Sequence, residues 1–479
     1  MEGNDEGSIA SKLHGPHIWG LAAVVGVGLG WLVAGLFPGA LDAAGKPIIP
    51  LWAVIPFGTL LAAIALMPFI SERIWHRHFP DFAFGLGGLV LGWVMKAFPQ
   101  PMANGHGTVG GHAVLHAFIE YYSFVALVCG LYVVSGGVLI NLRGRATPLM
   151  NVALLAFGAL FANLVGTTGA SMLLLRPFMR VNEGRLRPIH IVFFIMIVSN
   201  CGGLLTPIGD PPLYLGYLKG VPFSWTLMHL WNEWALVVGM LLALFFIVDS
   251  RIRPTGQLRD VERFGVSVSG TPGLICLALM IVGVFIDPLL KSRLGIEGYP
   301  IGATFQLLVA GASYALADRR TLEANQFSFF PVKEVSLLFL GIFLTMIPAL
   351  GYLSVNGQKL GVDSPSAFYF VTGALSAVLD NAPTYVNFLQ IALGPVDINA
   401  ASINALLTQE DSGRHTLAAI SSGAVFFGAI TYIGNGPNFM VRTIASSAGV
   451  KMPGFFGYMG WTLLILLPIL IINWAIFIR

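Results

Sequence analysis

The sequence carries little charge. Asp, Glu, Lys and Arg make up 10% of its 479 residues, whereas 56% are hydrophobic and the mean hydropathy is +0.79. A soluble globular domain has roughly 25% charged residues, so this chain cannot cover its surface for water. Many apolar runs are long enough to cross a bilayer as a helix. The composition therefore excludes a soluble protein and predicts an all-α polytopic membrane protein.

Other classes of protein lack their usual marks in this sequence. The three cysteines, Cys129, Cys201 and Cys276, lie in apolar stretches without the spacing of metal ligands or of a disulfide framework. The net charge of +3 is small and spread over loops, which predicts no nucleic-acid partner. No histidine-rich motif or nucleophile–base pair stands out, so we predict no enzyme activity and no cofactor. The N-terminal segment Met1–Lys12 is polar and acidic, unlike the basic leader of a signal peptide, and the first apolar run is interpreted as a retained span.

The apolar segments fall into two similar sets. After an N-terminal segment with the first span, at residues 1–47, residues 48–250 form one set and residues 269–479 the other, with a polar linker at 251–268 between them. Each set holds three spans, a hairpin with a polar centre, an interrupted span and a final span. The hairpins are predicted at 149–175 and 367–393, and the interrupted spans at 189–218 and 416–445. The sum is eleven transmembrane helices plus two re-entrant hairpins.

The basic residues set the predicted orientation, because basic loops tend to lie on the cytoplasmic side. All basic clusters reach that side only if the first hairpin enters and leaves from the cytoplasm and the second from outside. The N-terminus is then cytoplasmic, and five crossings per set insert the second set upside down, as an inverted-topology repeat. The clusters are Arg73 and Arg77, Arg143 and Arg145, Arg176 to Arg187, Arg251 to Arg263, Arg319 and Arg320, and Lys451.

One unusual segment occurs twice. Thr206-Pro-Ile-Gly-Asp-Pro-Pro212 recurs in weaker form as Thr431-Tyr-Ile-Gly-Asn-Gly-Pro437, each within a long apolar stretch. The hairpins are also broken, at Asn163-Leu-Val-Gly-Thr167 and Asp380-Asn-Ala-Pro-Thr384. Paired breaks in two halves indicate a transporter's binding site near the bilayer midplane, because non-helical backbone there must be surrounded by protein or a water-filled cavity. The candidate substrate- and ion-binding residues are Asn163, Thr167, Thr168, Ser199, Asn200, Asp210, Asp380, Asn381, Thr384 and Asn435.

The two aspartates of these breaks have competing interpretations. Asp210 precedes Pro211 and fits a helix N-cap, so it either caps the following half-helix or also lines the cavity. Asp380 is harder to explain as a cap, because the neighbouring Asn381 can cap alone. An aspartate at the bilayer centre costs ~2.5–3.5 kcal/mol on insertion scales, and Asn or Ser would cap about as well for less.

Oxygen donors dominate the four breaks. Carboxylates, amides and hydroxyls hold small hard cations, which makes Asp380 and Asp210 candidate Na⁺ ligands. The breaks contain no Arg or Lys to bind a carboxylate substrate bidentately, and Arg176 and Arg442 near segment ends are interpreted as snorkelling to the cytoplasmic interface. Burial disfavours the ionised form of a carboxylate and a bound cation favours it, so H⁺ and Na⁺ would compete for one site, which yields exchange.

A further polar face lies at the start of the fourth span. His112, His116 and Glu120 share one side of a helix, as a metal site requires. The predicted topology places them at the outer membrane surface, beside a loop with His106. They are interpreted as a solvated interfacial face, with a pH sensor or an adventitious zinc site as alternatives. Glu233, near the outer end of the sixth span, is also interpreted as interfacial.

At its broken segments the sequence resembles a bacterial family of the ion transporter superfamily, whose members are labelled sodium/proton antiporters or citrate transporters. The resemblance covers about residues 120–445 and implies a homodimer in the bacterial cytoplasmic (inner) membrane. It also implies a scaffold and a mobile transport domain made of the hairpins and broken spans. It rests on Asn163-Leu-Val-Gly-Thr-Thr-Gly-Ala-Ser171, Ser199-Asn-Cys-Gly-Gly-Leu-Leu-Thr-Pro-Ile-Gly-Asp-Pro-Pro212 and Leu379-Asp-Asn-Ala-Pro-Thr384.

The hairpin tips indicate which branch of that superfamily is nearer. Its dicarboxylate–sodium symporters carry Ser-Asn-Thr at both tips, which this sequence lacks. The tip Asp380-Asn-Ala-Pro383 instead resembles the sodium/proton antiporters. The resemblance favours a secondary transporter that exchanges Na⁺ for H⁺ by alternating access. The alternative is a citrate or dicarboxylate transporter coupled to a cation.

Overall fold

The structure is a computed structural model that describes residues 16–42, 45–102, 107–143, 147–253, 265–294, 299–408 and 412–479. Several sequence interpretations fall outside this part, namely those on Met1–Lys12, His106, Arg145 and linker residues 254–264. In the described part, nine helical segments are long and apolar enough to cross a membrane. The chain is an all-α polytopic membrane protein, as predicted. The total of eleven spans depends on membrane topology and stays a prediction.

Helices make up nearly all of the described chain. In chain order they are α1 Pro16–Leu36, α2 Ile55–Ile70, α3 Glu72–Ala97, α4 Val109–Gly136, α5 Pro148–Val181, α6 Pro188–Ile197, α7 Pro211–Leu218, α8 Trp225–Ser250, α9 Thr271–Leu294, α10 Ile301–Leu316, α11 Arg319–Ala324, α12 Phe330–Asn356, α13 Pro365–Val378, α14 Asn381–Leu393, α15 Ala400–Thr408, α16 Ser412–Phe427, α17 Gly436–Ser447 and α18 Phe455–Asn473. Short 3₁₀ turns cover Leu51–Val54, Cys201–Leu205 and Gly357–Leu360, and a π-helical turn covers Trp474–Ile478. The strands are β1 Ala40–Leu41, β2 Pro47–Ile48, β3 Leu139–Arg143 and β4 Gly265–Ser269.

The chain divides into two compact units, and the first comprises Met1–Tyr122 and Lys333–Gly357. Within it, α1 packs directly on the backbone of α3. A Cβ on Gly26 or Gly30 of α1 would overlap the carbonyl oxygen of Gly85 or Leu89 of α3. Small residues let membrane helices approach this closely, so the helix pair is held by close van der Waals packing.

The second unit, Ser123–Val332 and Gln358–Arg479, contains both hairpins. The first is α5, whose helical dihedral angles fail at Gly166, at φ 78° and ψ 153°. Only glycine adopts this region without strain. A straight helix of this length would be ~51 Å long, yet Asn151 and Asn182 near its two ends exchange amide hydrogen bonds of 2.7 and 2.8 Å. The arms of α5 are therefore antiparallel, and the second arm continues to Val181, beyond the predicted end at 175.

The second hairpin consists of α13 and α14, joined at Leu379 and Asp380. Its arms are also antiparallel, because the rings of Phe368 and Phe388 lie 6.4 Å apart on opposite sides of the turn. The structure thus forms a helical hairpin at each predicted place. The face of the membrane from which each one enters stays a prediction.

Both interrupted spans are broken where the repeated segment predicts. The first runs through α6, the 3₁₀ turn and α7, and the second through α16 and α17. Three hydrogen bonds of the first break recur in the second, so the two breaks share one backbone design. In the first pair, Thr206 Oγ1 donates to the Asn163 carbonyl (2.6 Å) and Thr431 Oγ1 to the Ala377 carbonyl (2.5 Å). In the second, Gly209 N–H donates to Thr206 Oγ1 (3.1 Å) and Gly434 N–H to Thr431 Oγ1 (3.2 Å). In the third, Thr167 N–H donates to the Gly209 carbonyl (2.8 Å) and Asn381 N–H to the Gly434 carbonyl (3.3 Å).

The linker region differs from its prediction. Residues 251–268 were expected to be a polar connection, but β4 pairs antiparallel with β3, with Leu139 opposite Ser269. The alternation of Val266 and Val268 with small polar residues suits an exposed strand, and a partner strand was not visible from the linker alone. The domain boundaries at 47, 250 and 268 describe the repeat in the sequence and stay a prediction.

Candidate functional site

All four breaks meet at the carboxylate of Asp210, which is 1% exposed. Its Oδ1 accepts hydrogen bonds from Thr167 Oγ1 at 2.9 Å and from Asn435 Nδ2 at 2.8 Å. Its Oδ2 accepts one from Asn381 Nδ2 at 2.8 Å. Thr167 comes from the first hairpin, Asn381 from the second, and Asn435 from the other broken span. We call these four residues the Asp210 cluster.

Asp210 stands at the N-cap position of α7, but its side chain does not cap the helix. The next two residues are Pro211 and Pro212, which have no N–H to donate, and the N–H of Leu213 bonds to the Asp210 carbonyl instead. The carboxylate is thus available to the other breaks. Asn435 behaves alike at the start of α17, where Pro437 removes the donor at the second helical position. The capping interpretation of the Asp210 side chain is therefore wrong.

Asp380 is the aspartate that does cap a helix. Its Oδ1 accepts the N–H of Ala382 at 2.9 Å, and Thr384 Oγ1 donates to its carbonyl at 2.8 Å. The proline of α14 comes later, at Pro383, so the N–H of Ala382 is present and needs an acceptor. Asp380 is half-buried, and Asn381, expected to be able to cap alone, turns its amide to Asp210.

A second layer of amides surrounds the cluster. Asn200 Oδ1 accepts from Asn435 Nδ2 at 3.2 Å, and Asn200 Nδ2 donates to Asn438 Oδ1 at 2.6 Å. Asn438 in turn donates to the carbonyls of Gly428 and Thr431, so it closes the second break on itself. Asn438 was not among the predicted site residues. Its sequence signal is a polar residue one helical turn after Asn435 on an otherwise apolar face.

Three predicted residues support the site without reaching Asp210 by a hydrogen bond. Asn163 donates to the Gly202 carbonyl at 2.7 Å and accepts the N–H of Leu205, so it fixes the 3₁₀ turn to the first hairpin. The hydroxyl of Ser199 is 2.7 Å from that of Ser171, and its carbonyl accepts from Asn435. Thr384 is occupied with Asp380.

A recess reaches the cluster from the side of α4. Thr167, Thr168 and Asp210 form its polar part, and the remaining lining is largely apolar, including Leu131 and other side chains of α4. Thr168 is only partly buried, unlike its neighbour Thr167. The recess therefore gives one approach to the buried carboxylate.

The only ionisable side chain among the four members of the cluster is that of Asp210. No Lys, Arg or His among the described residues is hydrogen-bonded to its four members, and Asn381 Oδ1 is buried without a partner in that part of the chain. Buried acceptors of this kind are normally satisfied, so the site has room for a hydrogen-bond donor or a cation.

A different buried network joins helix ends. Asp249 at the end of α8 accepts from Arg185 Nη2 at 2.7 Å, from Asn151 Nδ2 at 2.9 Å, and lies 2.8 Å from His190 Nε2. Arg185 is 4% exposed, so this member of the predicted Arg176–Arg187 loop cluster is a buried ion-pair partner. The network connects both ends of α5 with α6 and α8.

The structure also describes Glu233 and Glu120, two other acidic residues that the sequence analysis interpreted. Glu233 is 3% exposed, so its side chain is buried within the protein, and its depth in the membrane stays a prediction. His116 pairs with Glu120 at 2.8 Å; the His116 side chain is 58% exposed, but that of Glu120 is 10% exposed, so Glu120 does not fit the predicted solvated face. No group of three or more His, Cys, Asp and Glu able to hold a metal ion occurs within the residues that the structure covers, so the zinc alternative gains no support.

A comparison with protein families gives one finding over most of the chain. A family model described as "Putative citrate transport" matches residues 46–478. No curated protein matches the sequence significantly. The matched range includes both hairpins and both broken spans, and therefore every member of the Asp210 cluster.

Proposed function

Because the chain belongs to the family described as putative citrate transport, we propose that it moves citrate or a related carboxylate across the membrane by cation-coupled alternating access. The family makes the chain a membrane transporter. The observation that supports a single coupling site is the carboxylate of Asp210, which accepts hydrogen bonds from the three other breaks. This shared acceptor suits citrate transport and Na⁺/H⁺ exchange alike, and the family match is the observation that favours citrate transport.

The coupling cation binds at the Asp210 cluster in this proposal. A small hard cation takes carboxylate, amide and hydroxyl oxygens, and Asp210, Thr167 and the unpartnered Oδ1 of Asn381 supply one of each kind. A cation also offsets the cost of keeping a carboxylate ionised inside the membrane. Na⁺ is the candidate that the oxygen chemistry favours.

The carboxylate substrate binds at the rim of the same cluster. The N-terminus of α17 lies there with a partial charge of roughly +0.5, which attracts anions without Arg or Lys, whereas the N-terminus of α14 is already capped by Asp380. Gly436, the first residue of α17, is exposed and a Cβ there would meet no neighbour within 4 Å. The backbone at this point is therefore accessible to a small anion, whose binding a neighbouring Na⁺ would favour.

Cation binding would also link the two halves mechanically. Thr167, Asn381 and Asn435 come from three separate elements, and their common acceptor is Asp210. A cation on Asp210 changes which of these contacts can form, and a ligand shifts a conformational equilibrium by its differential affinity for the two states. We propose that this is how ion binding controls the moving hairpins.

Reconstituted vesicles with labelled citrate and an internal pH dye test the proposal. We expect citrate uptake that requires an inward Na⁺ gradient and that Asp210→Asn abolishes. Glu183→Gln, which changes an exposed glutamate beyond the end of α5, is the matched control and should transport normally. Uptake that ignores Na⁺, or no uptake at all, would contradict the proposal.

Na⁺/H⁺ exchange is the second candidate. It is favoured by the absence of a basic residue from the hydrogen bonds of the cluster in the described chain, and by the nearby half-buried Asp380. In the same vesicles, this mechanism predicts that Na⁺ alone releases internal protons and that citrate is not required. Proton release that begins only when citrate is present would exclude it.

A further inference from the structure

A second buried carboxylate lies outside the Asp210 cluster. Glu233 stands eight residues after the start of α8, ~12 Å along a helix of ~39 Å, so it is well inside the span. Its side chain is not among the ion pairs of the described residues. A charged group placed this deep is costly and marks function in membrane proteins more often than structure.

The surroundings of Glu233 come from three helices, namely α13 of the second hairpin, α16 of the second broken span, and α18. Asn473 of α18 donates its Nδ2 to Glu233 Oε2 at 2.9 Å, and Ser422 of α16 lies close to the carboxyl group. The same Asn473 amide lies 3.5 Å from the hydroxyl of Tyr369 on α13. Glu233 is thus the point where α8 meets α13, α16 and α18.

One atom in this group is unsatisfied. Asn473 is 0% exposed, and its Oδ1 has no hydrogen-bond partner among the described residues. Buried acceptors are rarely left in this condition. The orientation of an amide is assigned from its hydrogen bonds, so Asn473 has a second arrangement in which Oδ1 faces Glu233. That arrangement is stable only if Glu233 carries a hydrogen to donate.

From this geometry we propose that Glu233 and Asn473 form a proton-binding site of the transporter, separate from the cation site at Asp210. A proton from water forms an O–H bond on the Glu233 carboxyl group, and the amide of Asn473 turns so that its Oδ1 accepts that hydrogen. When the proton returns to water, the carboxylate again accepts from Asn473 Nδ2. The proposal deepens the function argued above, because it supplies a coupling proton that citrate transport or Na⁺/H⁺ exchange can use.

A proton suits this place better than a metal ion. Glu233 belongs to no group of three or more His, Cys, Asp and Glu side chains in the described part of the chain. A hard cation needs several oxygens around it, whereas a proton needs one acceptor, which Asn473 Oδ1 supplies.

Other titratable side chains near Glu233 are few in the described part of the chain. Tyr369 of α13 faces it, and the buried thiol of Cys201 in the 3₁₀ turn lies near Tyr369. On α8 itself, His229 is exposed and its Nδ1 is 2.8 Å from the Trp225 carbonyl. The group most able to titrate at this place is therefore Glu233.

The neighbouring helix is irregular at the same point. Asn473 is the residue before the π-helical turn Trp474–Ile478, in which the helix is wider than an α-helix. Such turns occur often at functional sites, because they displace one side chain from its regular position. Here the turn directly follows Asn473, whose amide would change orientation.

Infrared difference spectra of the purified full-length protein in detergent test the site without any transport assay. During a pH titration, the wild type should show a carbonyl band of a protonated carboxyl that disappears as pH rises. Glu233→Gln should lose this band, Asn473→Leu should shift its frequency, and Glu183→Gln should leave it unchanged. In vesicles, the pH dependence of transport should be lost in Glu233→Gln and retained, at a displaced pH, in Glu233→Asp.

Each outcome tests the proton site independently of which substrate the protein transports. A spectrum that Glu233→Gln leaves unchanged, or a band that never titrates, would overturn the proton site. If Glu233→Gln does not fold, the frequency shift in Asn473→Leu still decides, and an unchanged band there contradicts the proposal. Failure of citrate uptake with a normal wild-type band would refute only the function proposed above.

Discussion

Replacing Asp210 by alanine or by asparagine separates the structural role of this residue from its charge. Alanine removes the acceptor of three buried donors, Thr167 Oγ1, Asn381 Nδ2 and Asn435 Nδ2. Thr167 Oγ1 and Asn381 Nδ2 are then left unpaired, whereas Asn435 Nδ2 keeps Asn200 Oδ1 and the Ser199 carbonyl. At about 1–3 kcal/mol for each unpaired donor, Asp210→Ala should lose about 2–6 kcal/mol of the free energy of unfolding. This is a large fraction of the stability of many proteins, and a reduced yield of folded protein is expected.

Asparagine should behave differently because the site contains a spare acceptor. The Oδ1 of the asparagine introduced at position 210 can keep the hydrogen bonds from Thr167 and Asn435. The Nδ2 of the same side chain then faces Asn381. Asn381 Oδ1 is buried and unpartnered, so turning that amide restores the third hydrogen bond. Asp210→Asn should therefore fold about as well as the wild type while it lacks the charge that holds a cation.

Thermal unfolding in detergent, followed by size-exclusion chromatography, measures the structural effect, and Na⁺-dependent uptake in vesicles measures the function. The expected order of stability is wild type close to Asp210→Asn, with Asp210→Ala far below. If both variants were equally unstable, the amide rearrangement would be wrong. If Asp210→Asn kept Na⁺-dependent transport, the carboxylate would not be the cation ligand.

Three further predictions concern the scaffold of the site. Gly209→Ala should prevent transport and lower the yield of folded protein, because a Cβ there would overlap the Gly203 carbonyl oxygen. A Cβ at Gly436 would meet open space, so Gly436→Ala should give a normal yield of folded protein by chromatography. Asp249→Ala leaves the buried charge of Arg185 unpaired and should lower the free energy of unfolding by about 3–5 kcal/mol. Arg180→Ala, which changes an exposed side chain, should lower it little, and equal losses in the two variants would contradict the ion-pair argument. Cysteines placed at Thr147 and Glu183, both exposed at the ends of α5, should react with an impermeant reagent from the same side of the membrane, and labelling from opposite sides would exclude a re-entrant hairpin.

The broken segments were predictable because glycine, proline and polar residues interrupt apolar runs, and both hairpins and both interrupted spans lie close to their predicted places. The sequence left Asp210 open between capping a helix and lining the cavity, and it did not identify Asp380 as a capping residue, although the signal was present. Two prolines directly after Asp210 remove the donors that a cap would serve, whereas Pro383 comes late enough to leave the N–H of Ala382. The position of proline, more than the presence of a capping residue, decides which carboxylate is available.

The burial of Glu233 could not be read from its own segment. Its partner Asn473 lies 240 residues away in the sequence, at the end of the last helix. Hydropathy gives the depth of a residue along a span but not the face that packs against other helices. The same limit applies to Asp249, whose partners come from three separate parts of the chain.

The short ribbon of β3 and β4 means that the two sets of helices are joined by more than the peptide backbone. Five residue pairs, from Leu139 with Ser269 to Arg143 with Gly265, hold the segment after α4 to the segment before α9. A protease cut between residues 253 and 265 would leave this pairing in place. If the two halves were made as separate polypeptides, this strand pairing would promote their association. A split gene for this transporter should therefore still give an assembled product.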